Sequence, residues 1–305
     1  MATAPIEPPR RLVSALGGDP DGPAGAWLEA LPAMVRQRLE AWELTPERVH
    51  EPGGRSSLLV YVRQADGTPA ALKFPAPGRA PAHEGAALAQ WDGWGAARLL
   101  RADADSGALL LERLQGAVSL RSLPEAKALL EAAGTVRRLW VSPADGHPFA
   151  SLAGRAEEAV DELRALGAAT PAVGPLLDES LELRRALPAD APEDVLLHGA
   201  FRQGKVLAGE RTPWLAVGPS PVVGERAYDL AWLVLDRFED LAAGSGAASA
   251  ARRRVAKLAD SLDVDRDRLR SWTLYRAVDS GVREMTTTGG DVQRGELLLE
   301  FATWL

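Results

Sequence analysis

A change of hydrophobic period part-way along the chain limits what it can fold into. Between residues 49 and 74 the apolar residues come in short runs bounded by turn residues. Gly53-Gly54-Arg55-Ser56-Ser57 reads as a turn, 58–62 as a strand, Asp66-Gly67 as a hairpin turn and 70–74 as the return strand. Residues 82–91 have helical spacing, and 97–100 and 108–113 read as two further strands. From Pro124 onward helical spacing dominates: 126–140, 155–166, 173–187, 227–241, 248–262, 266–286 and 292–304, punctuated by Gly and Pro. Short apolar runs at 195–198, 205–207 and 214–217 interrupt the helices, and an amphipathic helix at 27–42 precedes the first strands. Strands first and helices after is the order of an α+β fold.

At 305 residues the chain can bury a large core and is expected to form two lobes. The expected division is a flexible N-terminal arm at 1–23, a small β-rich lobe at 24–115 and a large helical lobe at 116–305, with Gly116 at the boundary. The arm is rich in Pro and Gly and has no apolar segment of the kind a secretion signal needs. There is no cysteine, which removes disulfides and thiolate metal sites. No apolar run approaches the roughly eighteen residues of a membrane span. These features predict a cytoplasmic protein without a membrane partner. A net charge of −7 argues against nucleic acid as a partner, since phosphate backbones need a basic face.

The stretch with most chemical meaning is His198-Gly199-Ala200-Phe201-Arg202-Gln203-Gly204-Lys205-Val206-Leu207, followed by Leu215-Ala216-Val217-Gly218-Pro219. It resembles the catalytic and metal-binding segments of the aminoglycoside/hydroxyurea antibiotic resistance kinases, the streptomycin 6-phosphotransferase-like family. Those enzymes read His-Gly-Asp-Leu-His-Pro-Gly-Asn-Val-Leu and then Ile-Asp-Pro. The resemblance covers most of the chain and implies a bilobal, protein-kinase-like fold.

In the small lobe the resemblance makes Gly53, Gly54 and Ser56 the nucleotide-covering turn. Lys73 matches the lysine that meets nucleotide phosphates, and Glu84 the helix glutamate that holds it. Glu112 lies in the strand whose backbone would meet the adenine edge. In the large lobe the frame is kept but the reactive groups differ. Ala200 stands at the position of the catalytic Asp, Lys205 at the metal-binding Asn and Gly218 at the second metal-binding Asp, so no metal is expected. Arg202 replaces the family His. His198 and Asp229, the latter in Ala227-Tyr228-Asp229-Leu230-Ala231, match residues that brace the loop and are read as structural.

Loss of the base alone costs about two to four orders of magnitude in rate. On that ground the expectation is a pseudokinase, a catalytically inactive binding or scaffold protein, with a natural-product pathway as one setting. It would hold a peptide, protein or small-molecule ligand in the interlobe cleft against Phe201, Arg202 and Lys205. No cofactor would be required, and ATP, if held, would bind weakly and without magnesium. The alternative is an antibiotic O-phosphotransferase with rearranged catalysis, in which Arg202 and Lys205 replace metal charge. An acidic helix face at Glu157, Glu158, Asp161 and Glu162 reads as solvated surface rather than an aminoglycoside subsite.

Overall fold

The computed structural model describes residues 6–305 except 19, 20, 79, 169, 171, 172 and 288. It divides into two compact units, and the division is not a single cut. The first unit takes the chain up to Ser119 together with Leu207–Ser220, and the second takes Leu120–Val206 and Pro221–Leu305.

In the first unit, β1 (Thr45–Val49), β2 (Ser57–Arg63), β3 (Pro69–Pro75), β4 (Leu99–Ala102) and β5 (Leu109–Glu112) form an antiparallel sheet in the order β1-β2-β3-β5-β4. Alternation sets its two faces. Leu58, Val60 and Val62 on β2 pair with Phe74, Leu72 and Ala70 on β3, and all six are buried. They share a core with Leu31, Val35 and Leu39 of α2 (Pro23–Ala41). A residue one step out of phase must point to the other face. Lys73, between Leu72 and Phe74, is such a residue, and α3 (Pro81–Trp91) supplies its partner.

The expected arm is only partly irregular. Its residues 1–5, 19 and 20 lie outside the described residues, but Arg10–Leu16 form α1 and Leu12 is fully buried in the core that α2 covers. A seven-residue helix with one core anchor leaves almost no periodic trace in a Pro- and Gly-rich segment. Two strands were also not expected here: β1, Thr-Pro-Glu-Arg-Val, and β6 (Gln115–Ser119), which runs through the residue read as a lobe boundary. Neither shows an apolar alternation. β6 pairs with β8 (Val206–Ala208), which pairs with β9 (Trp214–Ala216), in a second small sheet.

The second unit is mainly helical: α4 (Glu125–Leu139), α5 (Ala156–Gly167), α6 (Gly174–Ala189), α7 (Arg226–Val234), α8 (Phe238–Ala242), α9 (Ala247–Leu262), α10 (Arg266–Thr286) and α11 (Val292–Thr303). A two-stranded ladder of β7 (Val195–Leu197) and β10 (Val222–Gly224) carries the motif loop. α10 is the central helix, buried on nearly every side, with Leu269, Trp272, Tyr275, Ala277, Val278 and Val282 in the core. Asp265 caps it by accepting the Arg268 N–H at 2.8 Å.

The single helix expected over 227–241 is broken. α7 ends at Val234, and Arg237 adopts a left-handed φ of 52° before α8 begins. The break is held by polar bonds: the Arg237 guanidinium donates to the carbonyls of Leu120, Arg121 and Leu123. It turns Asp236 inward, where it accepts the Gln203 N–H.

α10 and α11 pack at two glycines. A Cβ on Gly295 would lie 2.5 Å from Met285 Cγ and 2.8 Å from the Gly281 carbonyl oxygen. Backbone cannot yield as a side chain can, so Gly295→Ala is expected to destabilise the unit by about 1–3 kcal/mol. Thermal unfolding, with activity retained below the transition, checks this.

Candidate functional site

Each unit carries part of the motif set. In the first, the Lys73 ammonium lies 2.5 and 2.7 Å from the two carboxylate oxygens of Glu84. Both side chains are nearly buried, 12% and 6% exposed, so the charges hold each other out of bulk water. Burial without such a partner would leave an uncompensated charge away from water, which is costly. The Gly53–Ser57 turn joins β1 to β2; Gly53 has φ +79°, and the Ser56 carbonyl accepts the Ala76 N–H at 2.9 Å. The Glu112 side chain is engaged by the Arg98 N–H at 2.7 Å and by Arg211 at 2.7 Å.

Gly218 belongs to the same unit. The bridge between Ala96 and Ala216 fixes the strand before it, through Ala97 N–H to Ala216 O and Ala216 N–H to Gly95 O, both 2.9 Å. A Cβ at Gly218 would stand 4.0 Å from Lys73 Nζ, and its φ is +62°. A side chain here would therefore project onto the lysine that Glu84 holds.

In the second unit the motif loop is hung from two carboxylates. Asp229, fully buried on α7, accepts the N–H groups of His198 at 2.8 Å and Gly199 at 2.7 Å, and Trp140 Nε1 at 3.4 Å. Asp236 accepts the Gln203 N–H at 2.5 Å. His198 Nδ1 takes the Ala200 N–H at 3.3 Å, and Trp232 Nε1 donates to Gly199 O at 3.3 Å. Phe201 is fully buried, with its ring edge-on to His198 at 5.6 Å. The expectation that Phe201 meets a ligand is corrected on that ground: its ring fills core. Arg202 is exposed and stacks over Trp232 at 5.1 Å, and Lys205 is half-buried.

Burial pushes the Asp229 carboxyl up to about 6, while the hydrogen bonds from His198 and Gly199 pull it down. The folded form therefore holds a proton that the unfolded chain releases between the ordinary carboxylate range and about pH 6, so this group's contribution to stability falls as pH rises through that window. Asp229→Asn is expected to flatten that slope. It also costs about 1–3 kcal/mol, because one buried N–H loses its acceptor. Denaturant unfolding at about pH 4.5 and about pH 7 reads both effects.

The side chains of Lys205 and Gly218 offer no oxygen, and the Lys205 ammonium repels a cation, so the side chains at these two positions do not fit a magnesium ion. Among the described residues no group of three or more His, Asp or Glu side chains forms a metal site. The acidic face of α5 is taken up by arginines: Glu157 by Arg185, Glu158 by Arg155, Asp161 by Arg164 and Glu162 by Arg283. Asp236, Arg121 and Arg276 went unrecognised in the sequence. The signal available for Asp236 was its place seven residues after Asp229 in an apolar run.

The profile of the aminoglycoside/hydroxyurea antibiotic resistance kinases matches residues 41–288. The chain is 36% identical over 262 residues to a streptomycin 6-kinase of Streptomyces glaucescens, covering 84% of each chain. It is 36% identical over 276 residues to a hydroxyurea phosphotransferase of Kitasatospora aureofaciens, covering 87% of this chain and 76% of that one. The chain belongs to this family. Among solved structures, a thermostable mutant of the aminoglycoside phosphotransferase APH(4)-Ia in ternary complex with ADP and hygromycin B aligns at TM-score 0.58 and 16% identity, over 88% of this chain and 97% of that one. Choline kinase LicA from Streptococcus pneumoniae aligns at TM-score 0.64 and 10% identity, over 90% and 99%. The fold is thus the α+β, protein-kinase-like one. Two expectations are overturned. Relatives alike over most of their length are named as kinases and phosphotransferases, which contradicts an inactive scaffold protein. The same relatives contradict the expectation of a protein that requires no cofactor and holds ATP only weakly and without magnesium. No helix among the described residues is long and apolar enough to cross a membrane.

Proposed function

We propose that this member of the family is an ATP-dependent O-phosphotransferase that acts in the cytoplasm on a small antibiotic of the kind its relatives are named for. The observation that carries this reading is the Lys73–Glu84 pair, kept nearly dry at 2.5 Å. An ammonium buried and aimed by a carboxylate is costly for a fold to hold. In this reading Lys73 meets the nucleotide phosphates, the turn at Gly53, Gly54 and Ser56 covers them, and the strand at Glu112 borders the base. Residues 24–115 then act as the nucleotide-covering lobe and 116–305 as the acceptor-holding lobe.

Phosphoryl transfer passes through a loose transition state that demands positioning and positive charge more than covalent help. Arg202 and Lys205 bring that charge to the motif loop. Asp229 and Asp236 hold the loop's backbone, His198 braces it, and Ala200 leaves the acceptor hydroxyl to lose its proton to solvent late in the transfer. Turnover with these groups is expected to be slower than in an enzyme carrying a carboxylate at position 200.

The test is incubation with ATP and magnesium against streptomycin, related aminoglycosides and hydroxyurea, with products read by mass spectrometry. Gain of one phosphoryl group on an acceptor, dependent on Lys73, is the expected result. ATP consumption and acceptor modification both at the level of a no-enzyme control would overturn the reading.

A further inference from the structure

The surroundings of the motif loop in the second unit are strongly basic in a chain whose net charge is −7. Two guanidinium groups share one indole: Arg202 lies 5.1 Å and Arg276 4.6 Å from the Trp232 ring centre. Arg276 also sits 3.8 Å over Tyr228, and its Nη2 reaches Gly199 O at 3.4 Å, against the loop backbone. The stem of Arg121 runs beside Gly204, where a Cβ would lie 3.5 Å from Arg121 Cδ. Arg294 stacks over Phe238 at 4.7 Å and pairs with Glu239. Arg202 is within electrostatic reach of Arg121 and Arg276, and Arg294 within reach of Arg121 and Arg202.

The acidic groups nearby do not match this charge. Asp236 is buried, accepts the Gln203 N–H and also lies within electrostatic reach of Arg202, Arg121 and Arg294, so its one carboxylate is shared among several guanidinium groups. Asp229 is committed to His198 and Gly199, and Glu239 to Arg294. Two further observations point to a missing acceptor: the donors Arg276 Nε and Gln203 Nε2 are buried with no hydrogen-bond partner, Gln203 having no exposed surface inside the loop itself. A guanidinium held by contact with an aromatic face still carries several donors, and its planar fork matches the oxygens of phosphate.

We infer that the loop face formed by Arg202, Arg276 and Arg121 is a binding site for a phosphate-class oxyanion. The anion bridges the guanidinium groups that Trp232 brings together. Cationic aminoglycosides are repelled from this face, so an acceptor that enters it is neutral or acidic. The inference rests on the phosphotransferase reading only for which phosphate is held: the terminal phosphate of the nucleotide or an acid group on the acceptor.

The experiment is calorimetric titration of the full chain with pyrophosphate. Salt-sensitive binding is expected, weakened about tenfold or more by Arg202→Gln and again by Arg276→Gln, with Arg253→Gln unchanged. Melting curves establish that each variant is folded. Absence of binding to folded protein, or equal affinity in Arg202→Gln, overturns the inference. Glucose 6-phosphate titrated into protein saturated with AMP-PNP separates the sources. Binding on top of the nucleotide, lost in Arg202→Gln, assigns the site to the acceptor. Exclusion by AMP-PNP, with AMP-PNP affinity itself lowered by Arg202→Gln, assigns it to the nucleotide. Oxyanion binding without any transfer to an acceptor would sink the phosphotransferase reading and leave this site standing.

Discussion

Lys73→Met is expected to reduce phosphotransfer by about 10²–10³-fold, the scale for removing one preorganised charge donor from a transition state. The effect should appear in kcat and in kcat/KM for ATP. The substitution also strands Glu84, which is 4% exposed and has Lys73 on both of its oxygens. Leaving one member of a buried pair uncompensated costs about 3–5 kcal/mol, so the melting temperature should fall as well. The double change Lys73→Met with Glu84→Gln removes the stranded charge. It should recover much of the stability and none of the activity, and that split separates a catalytic from a packing role. Equal turnover in Lys73→Met and the parent chain would remove this lysine from the mechanism.

The second large effect is a gain. Ala200→Asp places a carboxylate at the one loop position where the family carries its base, on a backbone already held by Asp229 and His198. A positioned general base contributes about 10²–10⁴-fold, and an increase toward that range in single-turnover transfer is expected. The rise should be steeper with pH below neutrality, where the new carboxyl titrates. A folded Ala200→Asp variant no faster than the parent would mean that the proton of the acceptor does not limit transfer.

Much of the framework was legible because it rests on local pattern. The β2–β3 hairpin follows from alternation around Asp66-Gly67, while the Lys73–Glu84 pair was matched through the family resemblance. Asp229 was matched the same way, through Ala227-Tyr228-Asp229-Leu230-Ala231. The break between α7 and α8 was not legible, since it is stabilised by carbonyls of Leu120, Arg121 and Leu123, more than a hundred residues away. The burial of Phe201 was not legible either, because a loop motif does not say which side chain turns inward. Reading the loop residue by residue also overstated what Ala200, Lys205 and Gly218 imply. They are a few positions in an alignment of more than 250 residues whose other members support a kinase scaffold. The cluster of Arg121, Arg202, Arg276 and Arg294 draws on four separated segments and has no contiguous trace at all.

The first unit is closed by a segment that arrives late in synthesis. Residues 207–220 belong to it, although 87 residues of the second unit, Leu120–Val206, are made in between. Glu112 does not meet Arg211, nor Ala96 its bridge to Ala216, until that return stretch leaves the ribosome. The β-rich unit therefore cannot finish before the first half of the helical unit exists, and its assembly has the high contact order that slows folding. A released fragment ending at residue 119 should be open to protease at 95–112, and one ending after residue 220 should be closed there. For expression of separate pieces, a gene fragment ending at Ser119 lacks the strand that carries Gly218 to Lys73, so the practical module boundary lies after Ser220.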